Sequence, residues 1–204
     1  MSKHREIIAI LRGIGPDEMV AVCESLISAG ITRIEVPLNS PSPLDSIRRA
    51  VEALRNGGNF GAGTVLTARE VDEVAATGAG FVVSPDANPE VIRRTREKSL
   101  ESYPGVLTPT EAFSAIRAGA TGLKIFPASV IGPEGIKAMM AVLPDIPVYA
   151  VGGAHPGNFE AYAQAGCRGV GMGSHLWKPG MSLADLAERA RAVVEAFDRT
   201  FRAP

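Results

Sequence analysis

The sequence predicts a single-domain α/β protein in which eight strands and eight helices close into a (β/α)8 TIM barrel spanning residues 1–204. Three observations lead there. Short apolar runs alternate with amphipathic helical stretches along the whole chain, and such alternation implies parallel strands joined by right-handed crossovers. Four junctions, SAGITRIEVP, ATGAGFVVSP, RAGATGLKIFP and QAGCRGVGMGS, share one pattern, a helix that ends at a glycine and a strand that starts after it. The first strand is followed by RGIGPDE, without the G-x-G-x-x-G spacing that an open doubly wound sheet places there. Glycine-rich turns follow the last two strands instead, as a barrel allows.

Taken in order, the strands are read over 7–12, 33–38, 60–64, 81–85, 103–106, 123–127, 148–153 and 169–174. Each is a short, largely apolar run bounded by turn residues, the mark of a strand covered on both faces. The helices start after Pro16, Ser42-Pro43, Thr67, Asn88-Pro89, Thr108-Pro109, Gly132-Pro133, His155-Pro156 and Ser182. Thr67-x-x-Glu70 is a capping box, and proline at a first helical position is already shaped for a helix. At 204 residues, the chain is at the compact end for eight such units.

Composition excludes several functions. The net charge is −1, so the chain lacks the basic surface of a nucleic-acid binder, and aromatic residues make up only 5%. No run is long enough to span a bilayer. No signal peptide opens the sequence. We therefore expect a soluble cytoplasmic protein. Cys23 and Cys167 have no partner at ligand spacing and read as free thiols in small buried positions. His155 and His175 lack clustered acidic or histidine neighbours, so no metal is expected, and His175 reads as a loop residue.

Active sites of such barrels lie at the C-terminal strand ends. The polar residues there are Arg12, Glu35, Asn39, Thr64, Ser84, Lys124 and Ser174. Lys124 stands out. Only five of the twenty-one basic residues are lysines, and this one alone is set inside an apolar strand. Burial lowers a lysine pKa, and a neutral amine can attack a ketone to form a Schiff base. A structural ion pair with Glu35 is the competing reading. Aligned on Gly30, Gly78, Gly119 and Gly166, the residues five places on are Glu35, Val83, Lys124 and Gly171. That shared phase predicts that Glu35 and Lys124 face the same side of the sheet. Glu35 then suits general acid/base work, or simple charge balance.

Arg12 offers a planar fork for a carboxylate, or is an exposed loop arginine. Gly152, Gly153, Gly173 and Ser174 lie in the turns after strands seven and eight, where barrels often bind phosphate; tight turning alone would also explain these glycines. The small residues of Gly61-Ala62-Gly63-Thr64 are expected to leave room for a substrate, with a hydroxyl at Thr64. An isomerase or synthase that handles phosphate, or a non-enzymatic sensor, would share the glycine turns but gives no reason for Lys124.

IAILRG, IEVPLNSP, GAGTVL, TPTEAF, GLKIFPAS, GPEGIKAM, VYAVGG and GVGMGS follow one another over nearly the whole chain. Together they resemble the 2-keto-3-deoxy-6-phosphogluconate and -galactonate aldolases, class I enzymes of sugar-acid breakdown. The resemblance implies that Lys124 forms an imine with the C2 ketone of a phosphorylated 2-keto-3-deoxy sugar acid. Glu35 would be the acid/base, acting through a water, and Arg12 and Thr64 would hold the carboxylate. Pro85 and Phe126 would line the pocket, while Gly152, Gly153, Gly173 and Ser174 would hold phosphate. The products would be pyruvate and D-glyceraldehyde 3-phosphate, with no cofactor, and the assembly a homotrimer. Two departures resemble the galactonate branch. Asn39 stands where gluconate-type members often carry arginine, and Val151 where they carry a threonine hydroxyl near C4. Activity on the gluconate epimer or on 4-hydroxy-2-oxoglutarate is the alternative. Leu107 stands where a small residue is more usual.

Overall fold

A computed structural model describes residues 5–201. The chain runs β1 (Ile7–Ile10), α1 (Pro16–Ala29), β2 (Arg33–Pro37), α2 (Pro43–Leu54), β3 (Asn59–Gly63), α3 (Ala68–Ala75), β4 (Phe81–Val83) and α4 (Pro89–Glu97). It continues through β5 (Glu101–Tyr103), β6 (Gly105–Val106), α5 (Pro109–Arg117), β7 (Leu123–Ile125), α6 (Ala128–Met140) and β8 (Val148–Val151). A 3-10 turn (Pro156–Asn158), α7 (Phe159–Gln164), β9 (Gly169–Met172) and α8 (Leu183–Phe201) complete it. All pairings are parallel, in the order β5-β4-β3-β2-β1-β9-β8-β7-β6.

The ends of that order, β5 and β6, are consecutive in the chain and separated only by Pro104. Proline has no N–H to give to a ladder. Carbonyls keep the two sides joined: Tyr103 accepts from the Ser84 N–H at 3.2 Å, and Pro104 accepts from the Lys124 N–H at 2.9 Å. The expected single fifth strand over 103–106 is thus two short strands in one barrel stave, starting two residues earlier. The result is the eight-stave barrel the alternation predicted.

The junction glycines Gly30, Gly78, Gly119 and Gly166 all take positive φ, from 81° to 98°. An L side chain at these positions would be strained, which is why the repeat keeps glycine there. Six of the expected helix starts are found within a residue or two, and at His155-Pro156 a 3-10 turn begins the run that α7 continues from Phe159. The sixth helix differs, since α6 begins at Ala128 and breaks at Gly132, whose φ is 69°. Its second part then starts at Pro133, where the sequence placed the whole helix.

Two cores hold the barrel. Outside, strand residues such as Ile34, Val36 and Ala62 pack under Val22, Leu26 and Ile47 of the helices. Inside, Phe81, Val83, Tyr103 and Tyr149 form a separate cluster. Cys23 and Cys167 are free and buried, and burial pushes both thiols up to about 12. Among the described residues, no helix is long and apolar enough to cross a membrane.

Candidate active site

The four positions matched by the repeat meet inside the barrel. Glu35 from β2, Val83 from β4, Lys124 from β7 and Gly171 from β9 line one enclosed cavity, with room for about one water molecule. The shared phase arises because alternate residues of a strand face one side and the four strands enter the barrel in equivalent register.

Glu35 is 2% exposed and Lys124 8%. No ion pair within 4.0 Å joins them. The structural salt bridge considered from the sequence is therefore absent as a direct contact. Glu35 Oε2 is buried with no hydrogen-bond partner. Burial raises the Glu35 carboxyl to about 7, against the weaker opposing pull of Lys124 and Arg12. Burial likewise lowers the Lys124 pKa; Glu35 opposes that shift and Arg12 adds to it. The ammonium form of Lys124 is also favoured by the Phe126 ring, whose centroid lies 4.5 Å from Nζ.

Gly63 explains how a carboxyl fits there. A Cβ on Gly63 would stand 2.1 Å from Glu35 Oε2. The glycine of GAGT therefore makes room for Glu35, and the expectation that this space is left for a substrate is corrected. Gly61 similarly yields to the Phe81 ring.

Above the enclosed cavity the barrel opens into a mouth cavity of about 250 Å³. Glu35 and Lys124 form its base, and Arg12 and Thr64 stand at the ends of β1 and β3. Pro85 and Phe126 line its walls after β4 and β7. Val151, Gly152, Gly153, Gly173 and Ser174 close the β8–β9 side. The expected catalytic and substrate-binding residues thus border one space. Of the polar strand-end residues, Asn39 and Ser84 do not line it. Asn39 reaches it only through Arg12, and Ser84 lies apart. It is buried between Val83 and Pro85, and strand alternation turns it away from the barrel interior.

The rim is held by specific bonds. The Arg12 guanidinium donates to Asn39 Oδ1, and the Gly13 N–H donates to Ser40 Oγ at 3.0 Å. These two bonds tie the loops after β1 and β2. Thr64 has a φ of 57°, a conformation costly for a β-branched residue and of the kind that gathers at functional sites. Gly152 and Gly153 both have φ of 89°. Their N–H groups, with those of Gly173 and Ser174, donate to no carbonyl among the described residues. They are free donors on one side of the mouth, a geometry suited to an anion.

The sequence reading missed four lining residues: Ile10, Ala154, Gly171 as part of the mouth, and His175. His175 reads from the sequence as a plain loop residue. Its ring packs 5.2 Å from that of His155 at the rim. Adjacency to Ser174 was the one available signal. Among the described residues, no group of three or more His, Cys, Asp or Glu is arranged to hold a metal.

Comparisons with known proteins give the family and the fold. A family model described as KDPG and KHG aldolase matches residues 1–191. A probable 2-dehydro-3-deoxy-6-phosphogalactonate aldolase of Rhizobium meliloti is 50% identical over 97% of this chain and 94% of its own. The 2-dehydro-3-deoxy-6-phosphogalactonate aldolase of Escherichia coli K12 is 47% identical over 94% of each chain. A solved structure described as native KDPGal superposes with a TM-score of 0.95 at 46% identity, covering 97% of this chain and 96% of that one. A match over most of the length, in both sequence and fold, settles the lineage: the chain belongs to the KDPG and KHG aldolase family.

Proposed function

We propose that this enzyme cleaves 2-dehydro-3-deoxy-6-phospho-D-galactonate to pyruvate and D-glyceraldehyde 3-phosphate through a Schiff base on Lys124. The observation that carries the reading is a buried lysine with a lowered pKa, facing a buried carboxyl whose pKa is raised to about 7. The amine of Lys124 adds to the C2 ketone, and loss of water gives the imine. The Glu35 carboxylate takes the C4 hydroxyl proton, directly or through a water. The C3–C4 bond breaks, its electron pair entering the C3–C2–N system as an enamine, and the aldehyde leaves. Protonated Glu35 returns the proton to C3, and hydrolysis frees pyruvate and the amine. Atoms and electrons balance without a metal or cofactor. A group that must act first as base and then as acid is most effective with a pKa near the working pH.

In this reading, Arg12, oriented by Asn39, and Thr64 hold the substrate carboxylate. Pro85 and Phe126 flank the pyruvyl portion. The free N–H groups at Gly152, Gly153, Gly173 and Ser174 receive the phosphate. Val151 presents methyl groups near C4, where a hydroxyl would add one hydrogen bond, and this supports the galactonate epimer. The names of the similar relatives support the same substrate. The family resemblance also supports a cytoplasmic homotrimer.

Borohydride reduction in the presence of pyruvate, followed by peptide mapping, is expected to place the adduct on Lys124, and Lys124→Met is expected to abolish it. An active enzyme with no Lys124 adduct overturns the mechanism. Assays on both C4 epimers are expected to give higher kcat/KM for the galactonate; equal or greater efficiency on the gluconate epimer overturns the substrate assignment.

A further inference from the structure

The barrel end opposite the mouth carries a polar cluster that the reaction above does not use. Arg33, the first residue of β2, is buried there. Its guanidinium donates to Glu101 and to the Tyr103 hydroxyl, and lies 3.4 Å from Glu6. Glu6 also accepts from the Tyr149 hydroxyl at 2.8 Å. The guanidinium carbon lies 4.9 Å from the Tyr103 ring centroid and 5.5 Å from that of Phe81. The three rings meet edge to face, Phe81 to Tyr103 at 6.1 Å and Tyr103 to Tyr149 at 5.4 Å.

Both tyrosine hydroxyls are therefore engaged by the cluster at the closed end. The same two tyrosines line the enclosed cavity that Glu35 and Lys124 also line. Their rings stand between the partly exposed Glu6 and Glu101 and the reacting pair.

We propose that Tyr103 and Tyr149 are positioning residues whose rings, pinned by Arg33 and Glu6, form a floor that keeps water from beneath Glu35 and Lys124. This rests on Glu35 being the acid/base. The titratable or charged groups facing Glu35 are Lys124 from β7, Arg12 after β1, Tyr103 from β5 and Tyr149 from β8. Gly63 of β3, Val83 of β4 and Gly171 of β9 do not titrate. Lys124 and Arg12 both favour the carboxylate. The raised proton affinity of Glu35 therefore comes from burial, and the floor is one wall of that burial.

The test follows exchange of pyruvate methyl protons in deuterated buffer across pH, reading the midpoint of the acid limb. Tyr103→Ala, which opens the floor, is expected to lower the midpoint by about one pH unit. Tyr103→Phe and Tyr149→Phe, which keep the rings but release their hydroxyl bonds to Arg33 and Glu6, are expected to move the midpoint by less than half as far. A Tyr103→Ala protein that still traps pyruvate but shows an unmoved midpoint overturns the floor, as does a phenylalanine variant that shifts as far as the alanine one. If Tyr103→Ala does not fold, Tyr149→Leu is read by the same criteria. Glu35→Gln separates the two layers of the argument. An acid limb that persists without the carboxyl overturns the acid/base reading itself. A limb lost in Glu35→Gln but unmoved in the open-floor variant overturns the floor alone.

Discussion

Glu35 and Lys124 are ionisable groups placed where a folded chain resists charge, and stability should record the cost. The Glu35 carboxyl moves from an ordinary 4.5 to about 7 on folding. Between those values the folded chain holds a proton that the unfolded chain has released. Stability therefore falls as pH rises from about 4.5 to about 7, and the penalty is complete above that window, at most about 3 kcal/mol. Glu35→Gln removes it. We expect the variant to gain about 1–3 kcal/mol over the parent near pH 8 and little near pH 5 in urea titrations. A gain that is the same at both pH values contradicts the burial account. The pairing of these residues was legible because a repeat exposes phase. The Arg12–Asn39 bond was not legible, since it joins two loops whose separation only folding sets. Nor was the slot at Gly63, because the same absence of a side chain serves a substrate or a neighbour equally well.

At the scale of elements, the helix starts are local chemistry and were readable as such. Thr108 accepts from the Glu111 N–H at 3.3 Å, and the Glu111 carboxylate accepts from the N–H groups of Leu107 and Thr108 at 2.8 and 2.9 Å. Those bonds hold the Glu111 carboxyl below its usual pKa, the Leu107 N–H first among the causes. Thr108→Ala is expected to cost about 1 kcal/mol in urea unfolding while pyruvate trapping at Lys124 is unchanged. A loss of trapping in a folded variant would mean that α5 does more than support the wall. Strand ends were harder to read. The apolar runs place Arg12, Thr64, Pro85 and Phe126 within strands, yet they lie just past β1, β3, β4 and β7. The strands stop where neighbouring staves stop offering ladder partners, and no local signal states that. The division at Pro104 and the break at Gly132 have the same character: the residue type was visible, its consequence for pairing or helix direction was not.

At the scale of the molecule, barrel closure collects into one mouth residues as distant in sequence as Arg12 and Ser174. It also creates the closed end, where Glu6, Arg33, Glu101, Tyr103 and Tyr149 converge from three strands and the residue preceding β1. The outer surface keeps apolar residues exposed. Val130, in the first turn of α6 beyond Phe126, is 71% exposed, which for a single apolar side chain is ordinary surface. The proposed homotrimer rests on the family resemblance and is tested by mass. Light scattering is expected to give the mass of three chains, and a monomer mass at micromolar concentration would remove that proposal.

The sequence by itself determined the alternating architecture, the helix starts, the shared inward phase of Glu35 and Lys124, and the motifs that mark the aldolase lineage. These are legible because caps, turns and strand alternation act over a few residues. The tertiary structure alone decided that Glu35 and Lys124 are not in direct contact, that Gly63 admits the Glu35 carboxyl, that Asn39 bonds Arg12, and that aromatic rings close the barrel beneath the pair. Each of these depends on distances between separate staves, and such distances exist only once the sheet has closed on itself.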